Sequence, residues 1–381
     1  MRILIAHSFY RIPGGEDRYA RQQAELLGDD NEVFLLSRSN VDLPAGIRTA
    51  GRMIFSPSQA REVKGTLERW RPDVVHVHNV YPAFGPAVHI AARKLGVPLV
   101  MTVHNLRLRC PNSFMFTEGA VCRRCARGAY WNAVTHRCFS SKSQAAAYAS
   151  SLWVHRYGLR MERWVDRFIA PSGFMRNRLV EWGLDEGIVE VVRNFTDIDS
   201  RDPGVPGKYG VFAGRLSPEK GLDVLLHALR AAGDPPFRIV GDGPATEEVS
   251  RLKEELRLDH TELVGRVPSE AMHSILAEAR FLALPSLWEE NAPLAALEAM
   301  ARGRPLLVTG MGGLPELVAR GGGVVCAPGD AQDMADKLRR FDDDGFCERQ
   351  GRQAWEFASS ELLPEAHKAN LEAIYTAVVG E

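Results

Sequence analysis

Glu290 and Glu298 are eight residues apart and lie on either side of a predicted strand-to-helix turn. The apolar run at residues 281–284 predicts a buried strand, and the strong helix formers at residues 294–301 predict a helix. Glu290 then lies at the mouth of the turn, and Glu298 lies inside the helix. This arrangement either faces a ligand or is an ordinary helix start whose glutamates complement the macrodipole.

The start of this predicted helix has the chemistry of an anion site. Asn291 is the predicted N-cap, and Pro293 sits where the first helical turn tolerates proline. The N–H groups near residues 292–294 are therefore expected to point at solvent or at a ligand. Helix N-termini of this kind attract phosphate.

Two cations occupy a second turn of the same type. Residues 209–213 predict a strand, residues 222–229 predict a helix, and the intervening segment contains Arg215 and Lys220. Cations on such a turn favour an anionic ligand, and the alternative is a solvated surface pair.

The chain begins with a third strand-turn-helix pattern. Residues 2–6 predict a strand, Pro13, Gly14 and Gly15 a turn, and residues 16–27 a helix. The pattern is typical of nucleotide-binding turns, although glycines at a turn often only relieve backbone sterics.

Further strands are predicted at residues 73–78 and 99–104, and their alternation with helices indicates parallel sheets covered on both faces. His76 and His78 share one face of the first strand, and His104 ends the second. A metal site is one interpretation of the histidine pair. Hydrogen bonding or cleft lining is the interpretation we favour, because no third ligand is in register.

In their order along the chain, these elements resemble the retaining GT-B glycosyltransferases of family four, also called group 1, and the resemblance covers nearly the whole sequence. The spacing from Glu290 to Glu298 matches the family's Glu-x7-Glu motif, with Asn-Ala-Pro where the family usually has Gly-Phe-Gly. The segment from Gly214 to Gly221 matches its Gly-Arg-x-x-x-x-Lys-Gly pattern of pyrophosphate-binding cations.

The resemblance assigns roles to individual residues. It implies that Glu290 faces the donor sugar, that Glu298 binds the ribose hydroxyls and that Arg215 and Lys220 hold the pyrophosphate. His104 is expected to reach the donor sugar or the acceptor. The remaining donor-binding residues expected on this basis are Gly14, Gly15, Gly214, Gly241, Asp242, Arg266, Val267, Asn291, Ala292, Pro293 and Leu294.

The implied fold is α/β, with two Rossmann-like parallel-sheet domains facing a cleft. The expected boundaries are an acceptor-side domain at residues 1–195, a linker at 196–208, a nucleotide-sugar domain at 209–360 and a final helix at 361–381 that returns to the first domain. Asp197 and Asp199 look like the Asp-x-Asp metal motif of the GT-A class, but their place in a linker argues against that role.

The implied function is retaining transfer of a hexosyl or N-acetylhexosaminyl group from a nucleotide sugar, UDP-sugar favoured, to a saccharide or lipid-linked saccharide. Polysaccharide or glycoconjugate biosynthesis is the expected context, and no cofactor is expected for catalysis. The alternatives are a nucleotide-sugar epimerase of the same fold, or a non-catalytic protein that binds a partner through the basic cysteine-rich loop at residues 107–140.

That loop contains four of the six cysteines in the chain, Cys110, Cys122, Cys125 and Cys138. A C-x2-C pair flanked by single cysteines has the spacing of a structural zinc site. An iron–sulfur cluster and free or redox-active thiols are the alternatives.

Composition limits the partners. The formal net charge is −1, so no nucleic-acid partner is expected, and no run is long enough to span a membrane. A cytoplasmic location is therefore predicted.

A long helix is predicted at residues 145–168, where arginines lie beside Trp153, Tyr157, Trp164 and Phe168. This stripe either packs in a core or contacts an anionic membrane surface at the inner face.

Overall fold

The computed structural model describes residues 1–12, 14–42, 47–198 and 205–380, which form two compact units. The N-terminal unit comprises residues 1–118, 122–192 and 367–381, and the C-terminal unit comprises residues 119–121 and 193–366. Pro13, Asp199 and the rest of the predicted linker from 200 to 204 lie outside the described residues.

Regular elements alternate between strand and helix along most of the chain. In chain order, the strands are β1 (Arg2–Phe9), β2 (Glu32–Ser39), β3 (Val74–Val77), β4 (Leu99–Thr102), β5 (Phe116–Thr117), β6 (Ala120–Val121), β7 (Arg167–Ala170), β8 (Val189–Val191), β9 (Tyr209–Ala213), β10 (Phe237–Val240), β11 (Thr261–Gly265), β12 (Ala279–Leu284), β13 (Leu306–Thr309) and β14 (Gly323–Cys326). The α-helices are α1 (Gly15–Gly28), α2 (Ile47–Ile54), α3 (Pro57–Trp70), α4 (Ala87–Leu95), α5 (Asn132–Thr135), α6 (Lys142–Trp153), α7 (Gly173–Glu181), α8 (Leu222–Ala231), α9 (Thr246–Glu255), α10 (Ser269–Glu278), α11 (Leu294–Met300), α12 (Leu314–Leu317), α13 (Ala331–Leu338), α14 (Asp344–Glu361) and α15 (Pro364–Gly380).

Each unit is built on a six-stranded parallel sheet, with strand order β2-β1-β3-β4-β7-β8 in the N-terminal unit and β11-β10-β9-β12-β13-β14 in the C-terminal unit. Central strands such as β3 and β9 are buried along their whole length, because helices cover both faces of each sheet. This confirms the predicted α/β class with two parallel-sheet domains.

Residues from His367 onward belong to the N-terminal unit, although the preceding helix α14 belongs to the C-terminal unit. Leu371, Tyr375 and Val378 of α15 are buried against β-strand residues such as Ile3 and Ile5. Burial of three large side chains stabilises this docking by several kcal/mol, at roughly 1.5–3 kcal/mol for each side chain.

The single helix predicted at residues 145–168 is wrong. Helix α6 ends at Trp153, a π-helical turn and a 3-10 turn follow, and residues 167–170 form strand β7. Arg160 is left-handed at φ 54°, and the Asp166 carboxylate accepts a hydrogen bond from the backbone N–H of Leu99. Pairing of β7 with β4 therefore overrides the local helical pattern. Phe168 is fully buried in this strand, whereas Trp153 and Tyr157 are exposed, so these aromatics do not form one stripe.

Candidate active site

The order of strands places one pair of loops at a topological switch point in the C-terminal unit. The chain runs from β9 outward through β10 and β11, and then returns to place β12 on the other side of β9. The loops that follow β9 and β12 diverge at this point, where ligands bind in open α/β sheets. They are residues 214–221 and 285–293.

These two loops bring Lys220 and Glu290 together. The Lys220 ammonium donates a hydrogen bond to Oε1 of Glu290 at 2.6 Å, and Ser286 Oγ donates to the same oxygen at 2.8 Å. Glu290 is 4% exposed, whereas the Lys220 side chain is 18% exposed. Lys220 also lies 5.0 Å from the centroid of the Trp288 ring. The pair therefore presents a cation at the surface, above a carboxylate held by two donors.

Glycines allow the neighbouring loops to approach this pair. The Gly313 N–H donates to the backbone carbonyl of Glu290 at 2.7 Å, and a Cβ on Gly312, which has φ +62°, would lie 2.0 Å from that carbonyl oxygen. A Cβ on Gly221 would lie 2.2 Å from the carbonyl oxygen of Pro285. Only glycine fits both positions without a shift of the backbone.

The N-cap predicted at Asn291 is wrong. Helix α11 begins at Leu294, and Pro293 is its N-cap, with an extended conformation at φ −69° and ψ 121°. Tertiary hydrogen bonds keep the preceding residues extended, since Asn194 Nδ2 donates to the Ala292 carbonyl at 3.3 Å. Because proline has no N–H, it cannot act as a donor in this turn.

Glu298 is buried, at 7% exposure, within α11. Its backbone carbonyl accepts a hydrogen bond from Arg302 at 2.9 Å. Both motif glutamates therefore lie inside the C-terminal unit on adjoining elements, and Glu290 is the glutamate that forms the ion pair with Lys220.

The other predicted donor-binding residues of the C-terminal unit lie on loops at the same edge of its sheet. Gly241, at φ +138°, donates its N–H to the Gly265 carbonyl at 2.8 Å, and the Asp242 carbonyl accepts from Leu216. The Gly214 N–H donates to the Val240 carbonyl. The side chains of three predicted residues on these loops are at least partly exposed, namely Arg215, Asp242 and Arg266, and Val267 packs beside the core.

The N-terminal unit has an equivalent switch point between β1 and β3, where histidines cluster. His78 Nδ1 is 2.8 Å from His104 Nε2, and the two rings are stacked with centroids 5.1 Å apart. Tyr19 packs edge-on against both rings. The ring of His7 is hydrogen-bonded to Asp17 at 2.8 Å. His104, which was predicted from the sequence as a site residue, therefore lies beside a second histidine.

Burial keeps most of these histidines neutral. It lowers the pKa of His104 to about 3, with a further contribution from His7, and it lowers the pKa of His76 to about 3. The pKa of His78 is also well below its usual range, because of burial and the neighbouring histidines. His76 is hydrogen-bonded to Gln23, Tyr375 and Thr102, which supports the hydrogen-bonding interpretation over a metal site.

The predicted glycine turn begins α1, but carboxylates already occupy its N-terminus. The Gly14 N–H donates to Asp17 at 3.0 Å, and Gly15 is the first helical residue. Glu16 accepts hydrogen bonds from the Tyr10 hydroxyl at 2.7 Å and from Asn105 at 2.9 Å. This polar cluster joins the ends of β1 and β4.

The four loop cysteines all line one cavity of about 10 Å³ in the N-terminal unit. Cys110 and Cys125 are buried, and Cys122 and Cys138 are half-buried. Across the part of the chain that the structure describes, no three His, Cys, Asp or Glu side chains already stand in a metal-coordinating arrangement.

Sequence reasoning missed Ser286, Trp288, Tyr10 and Asn105 as contacts of the candidate residues. Ser286 and Trp288 follow strand β12 directly, and Tyr10 and Asn105 follow β1 and β4. Their position just beyond the carboxyl ends of predicted parallel strands was the available signal.

Known proteins share the fold and the order of these elements. The crystal structure of Anabaena Alr3699/HepE in complex with UDP and glucose matches with a TM-score of 0.73 at 18% identity, covering 99% of this chain and 100% of that one. Glycogen synthase of Mycobacterium tuberculosis is 27% identical over 348 residues, which is 88% of this chain and 73% of that protein. The 2-deoxystreptamine glucosyltransferase of Streptomyces kanamyceticus is 26% identical over 306 residues, 72% of this chain and 70% of that enzyme.

Fold and comparisons together define a GT-B glycosyltransferase. The model for "Glycosyltransferase Family 4" matches residues 13–200, and the model for "Glycosyl transferases group 1" matches residues 197–356. The chain therefore belongs to the group 1, family four glycosyltransferases. Enzymes of this group typically need no cofactor for transfer. Within the described residues, no helix is long and apolar enough to cross a membrane.

Proposed function

We propose that this enzyme transfers a hexosyl or N-acetylhexosaminyl group from a UDP-sugar to a saccharide or lipid-linked saccharide, with retention of anomeric configuration. The observation that carries the proposal is the contact between Lys220 and Glu290 where the loops after β9 and β12 diverge. HepE, which has the same fold, was crystallised with UDP and glucose, and this supports a nucleotide-sugar donor.

Lys220 and Arg215 are the proposed ligands of the donor diphosphate. Cleavage of the bond between the anomeric carbon and the diphosphate oxygen leaves negative charge on that oxygen. A fixed ammonium and guanidinium stabilise this charge more strongly in the transition state than in the bound donor. The backbone N–H groups of Asn291, Ala292 and Leu294 would add donors to the same group.

Glu290 is proposed to orient the donor sugar and to stabilise positive charge at the anomeric carbon. Ser286 and Lys220 hold the carboxylate in one rotamer, so little reorganisation is needed when charge develops. The acceptor hydroxyl attacks from the face that the leaving group vacates, a new C–O bond forms, and the hydroxyl proton passes to a diphosphate oxygen. Glu298 would bind the ribose hydroxyls, and neutral His104 would hydrogen-bond to the donor sugar or the acceptor.

Polysaccharide or glycoconjugate biosynthesis is the proposed context. Glycogen synthase, a polysaccharide-forming enzyme by name, is similar to this chain over 88% of the length of this chain. The similarly related glucosyltransferase of Streptomyces kanamyceticus is named for 2-deoxystreptamine, so the acceptor must be found by experiment.

The test is turnover of UDP-hexoses and UDP-N-acetylhexosamines with saccharide and lipid-linked acceptors, read as UDP release and as the anomeric configuration of the product by NMR. We expect acceptor-dependent release and a product with the donor's configuration. An inverted product would contradict the retaining mechanism, and donor conversion without any acceptor would contradict transfer itself. Lys64→Ala, which removes an exposed helix ion pair with Glu68, is the matched control for the variant Lys220→Ala.

We also propose that the basic part of the N-terminal unit contacts an anionic membrane surface at the inner face, where a lipid-linked acceptor would be found. Residues 122–161 contain seven Lys or Arg and no Asp or Glu. Trp131 and Trp153 are 65% and 54% exposed, which suits interfacial anchoring.

Co-sedimentation with vesicles tests this contact. We expect binding to phosphatidylglycerol vesicles that weakens with salt and after the double change Trp131→Ser and Trp153→Ser. Equal binding to neutral phosphatidylcholine vesicles, or no binding to either kind, would contradict an electrostatic membrane contact.

A further inference from the structure

We propose that Cys110, Cys122, Cys125 and Cys138 bind one structural Zn²⁺ ion that holds the loop at residues 107–140. This site is separate from the proposed sugar-transfer chemistry. It would be a closed tetrahedral site with four protein ligands, the type that stabilises a fold without taking part in catalysis.

The first observation is convergence. The four cysteines are spread over residues 110–138 of the sequence, yet all of them line the same cavity. The two remaining cysteines, Cys326 and Cys347, belong to the C-terminal unit and are buried separately in its core. A shared cavity for four thiols is what a single metal ion with thiolate ligands requires.

The second observation is the size of the cavity. Its volume of about 10 Å³ is close to the minimum that holds one water molecule. A single ion fits this space. The rest of the lining is mixed: Met115, Phe116, Ala126 and Ala133 are apolar, and Asn112, Thr117, Asn132 and His136 are polar.

Hydrogen-bond donors lie near two of the four sulfurs, although burial raises the pKa of the Cys110, Cys125 and Cys138 thiols. The backbone N–H groups of Asn112, Ser113 and Met115 face the Cys110 sulfur. Arg124 Nη1 lies 3.8 Å from the Cys122 sulfur. A zinc ion with four thiolates has a net charge of −2, and both N–H donors and a neighbouring guanidinium stabilise this charge.

Binding requires the thiols to lose their protons and turn toward the cavity. The Cys110 thiol donates to Asn112 Oδ1 at 2.9 Å, and the Cys125 thiol donates to the Ala129 carbonyl at 3.6 Å. Each of these contacts ends when the proton leaves and the sulfur becomes a ligand. Metal binding is therefore coupled to proton release and to side-chain rotation within a small loop.

The loop contains little regular secondary structure. Its helix α5 has four residues, and its strands β5 and β6 have two residues each. Four of the eight non-glycine residues with positive φ in the described chain occur here, namely Ser113, Met115, Glu118 and Arg137. Left-handed conformations are unfavourable for non-glycine residues, and a bound metal would help to hold the loop in them.

The test begins with the full chain, purified under reducing conditions with zinc in the medium and analysed by mass spectrometry for metal. We expect about one zinc ion per chain, as for a single four-cysteine site. Replacement by Co²⁺ should produce the intense visible absorption of tetrahedral cobalt thiolate. This second measurement needs no variant, so it remains informative if cysteine variants fail to fold.

Variants identify the ligands. Cys122→Ser and Cys125→Ser should each lose most of the metal, whereas Cys347→Ala, outside the loop, should retain it. His136 lines the same cavity but is hydrogen-bonded to Glu118, so His136→Ala should also retain the metal. Reduced wild-type protein that contains no zinc and takes up no cobalt would overturn the proposal. So would disulfide pairing of these cysteines in freshly purified protein, or metal retention in both serine variants.

Discussion

At the switch point of the C-terminal sheet, a partly exposed lysine is paired with a buried glutamate, whereas at the switch point of the N-terminal sheet the polar groups are histidines packed side by side. The first arrangement keeps a cation available for an anionic ligand. The second is neutral, since burial lowers the histidine pKa values far below physiological pH. The two sheets therefore share a topology but carry different polar groups at this edge, an ion pair on one and neutral imidazoles on the other.

The largest expected effect is on the ion pair of the C-terminal unit. Glu290→Gln keeps the shape of the side chain but removes the negative charge that Lys220 and Ser286 hold in place. We expect kcat to fall about 100-fold to 1,000-fold, the range typical of losing one preorganised electrostatic group. Initial rates with saturating UDP-sugar measure this change.

Glu255→Gln is the matched control, because Glu255 pairs with Arg251 on an exposed helix face. Its rate should equal that of the wild type. Full turnover by the Glu290→Gln enzyme would remove Glu290 from the proposed mechanism.

The second prediction concerns the close approach of loops that supports the charged pair. Gly312→Ala places a methyl group 2.0 Å from the Glu290 carbonyl oxygen at a residue with φ +62°. We expect the free energy of unfolding to fall by about 2–5 kcal/mol, because steric overlap adds to the left-handed backbone cost.

Gly233→Ala separates these two causes, since Gly233 has φ +95° and a Cβ placed on it would have no atom within 4 Å. It should lose only about 1–2 kcal/mol, the backbone cost alone. Urea denaturation measures both variants. Equal losses would show that the contact with Glu290 contributes nothing.

The third prediction concerns the buried, neutral histidines of the N-terminal unit. A histidine with a folded-state pKa of about 3 and an unfolded-state value near 6.5 binds its proton only after unfolding, so its contribution to stability is present above pH 6.5 and is lost as pH falls toward 3. Each such histidine lowers the free energy of unfolding by up to about 1.4 kcal/mol per pH unit in that window.

Denaturation of the wild type and of His76→Gln between pH 7 and pH 4 measures this dependence. As the pH falls, the free energy of unfolding of the variant should decline less steeply than that of the wild type. The difference in slope should correspond to the binding of about one proton on unfolding. Identical slopes would mean that His76 is protonated in the folded protein and that the histidine cluster is not neutral.

The sequence was sufficient for the sheets because parallel strands buried on both faces are nearly continuous apolar runs, as in β9 and in residues 281–284 of β12. It also predicted Lys220 and Glu290 as candidates, since each lies in a turn after a predicted strand and matches a motif of the resembled family. It could not predict the end of α6 or the N-cap at Pro293. Both depend on tertiary hydrogen bonds, from Leu99 to Asp166 and from Asn194 to the Ala292 carbonyl, which local propensity does not contain.

The neutral state of the histidines was equally beyond the sequence. Period two placed His76 and His78 on one face, but their hydrogen-bond partners come from distant positions such as Tyr375 and His104. The pKa of a histidine depends on this burial, which only the packed structure defines.

The central claim is that Lys220 forms part of a nucleoside diphosphate site, and binding of UDP to wild type and to Lys220→Ala tests it most directly. Isothermal titration calorimetry should show one UDP site in the wild type, with affinity reduced about tenfold or more in the variant, the loss of one charge-assisted contact. The Lys64→Ala control should bind like the wild type. Equal affinity for UDP in all three proteins, or no binding of UDP, GDP, ADP or TDP to the wild type, would contradict the account.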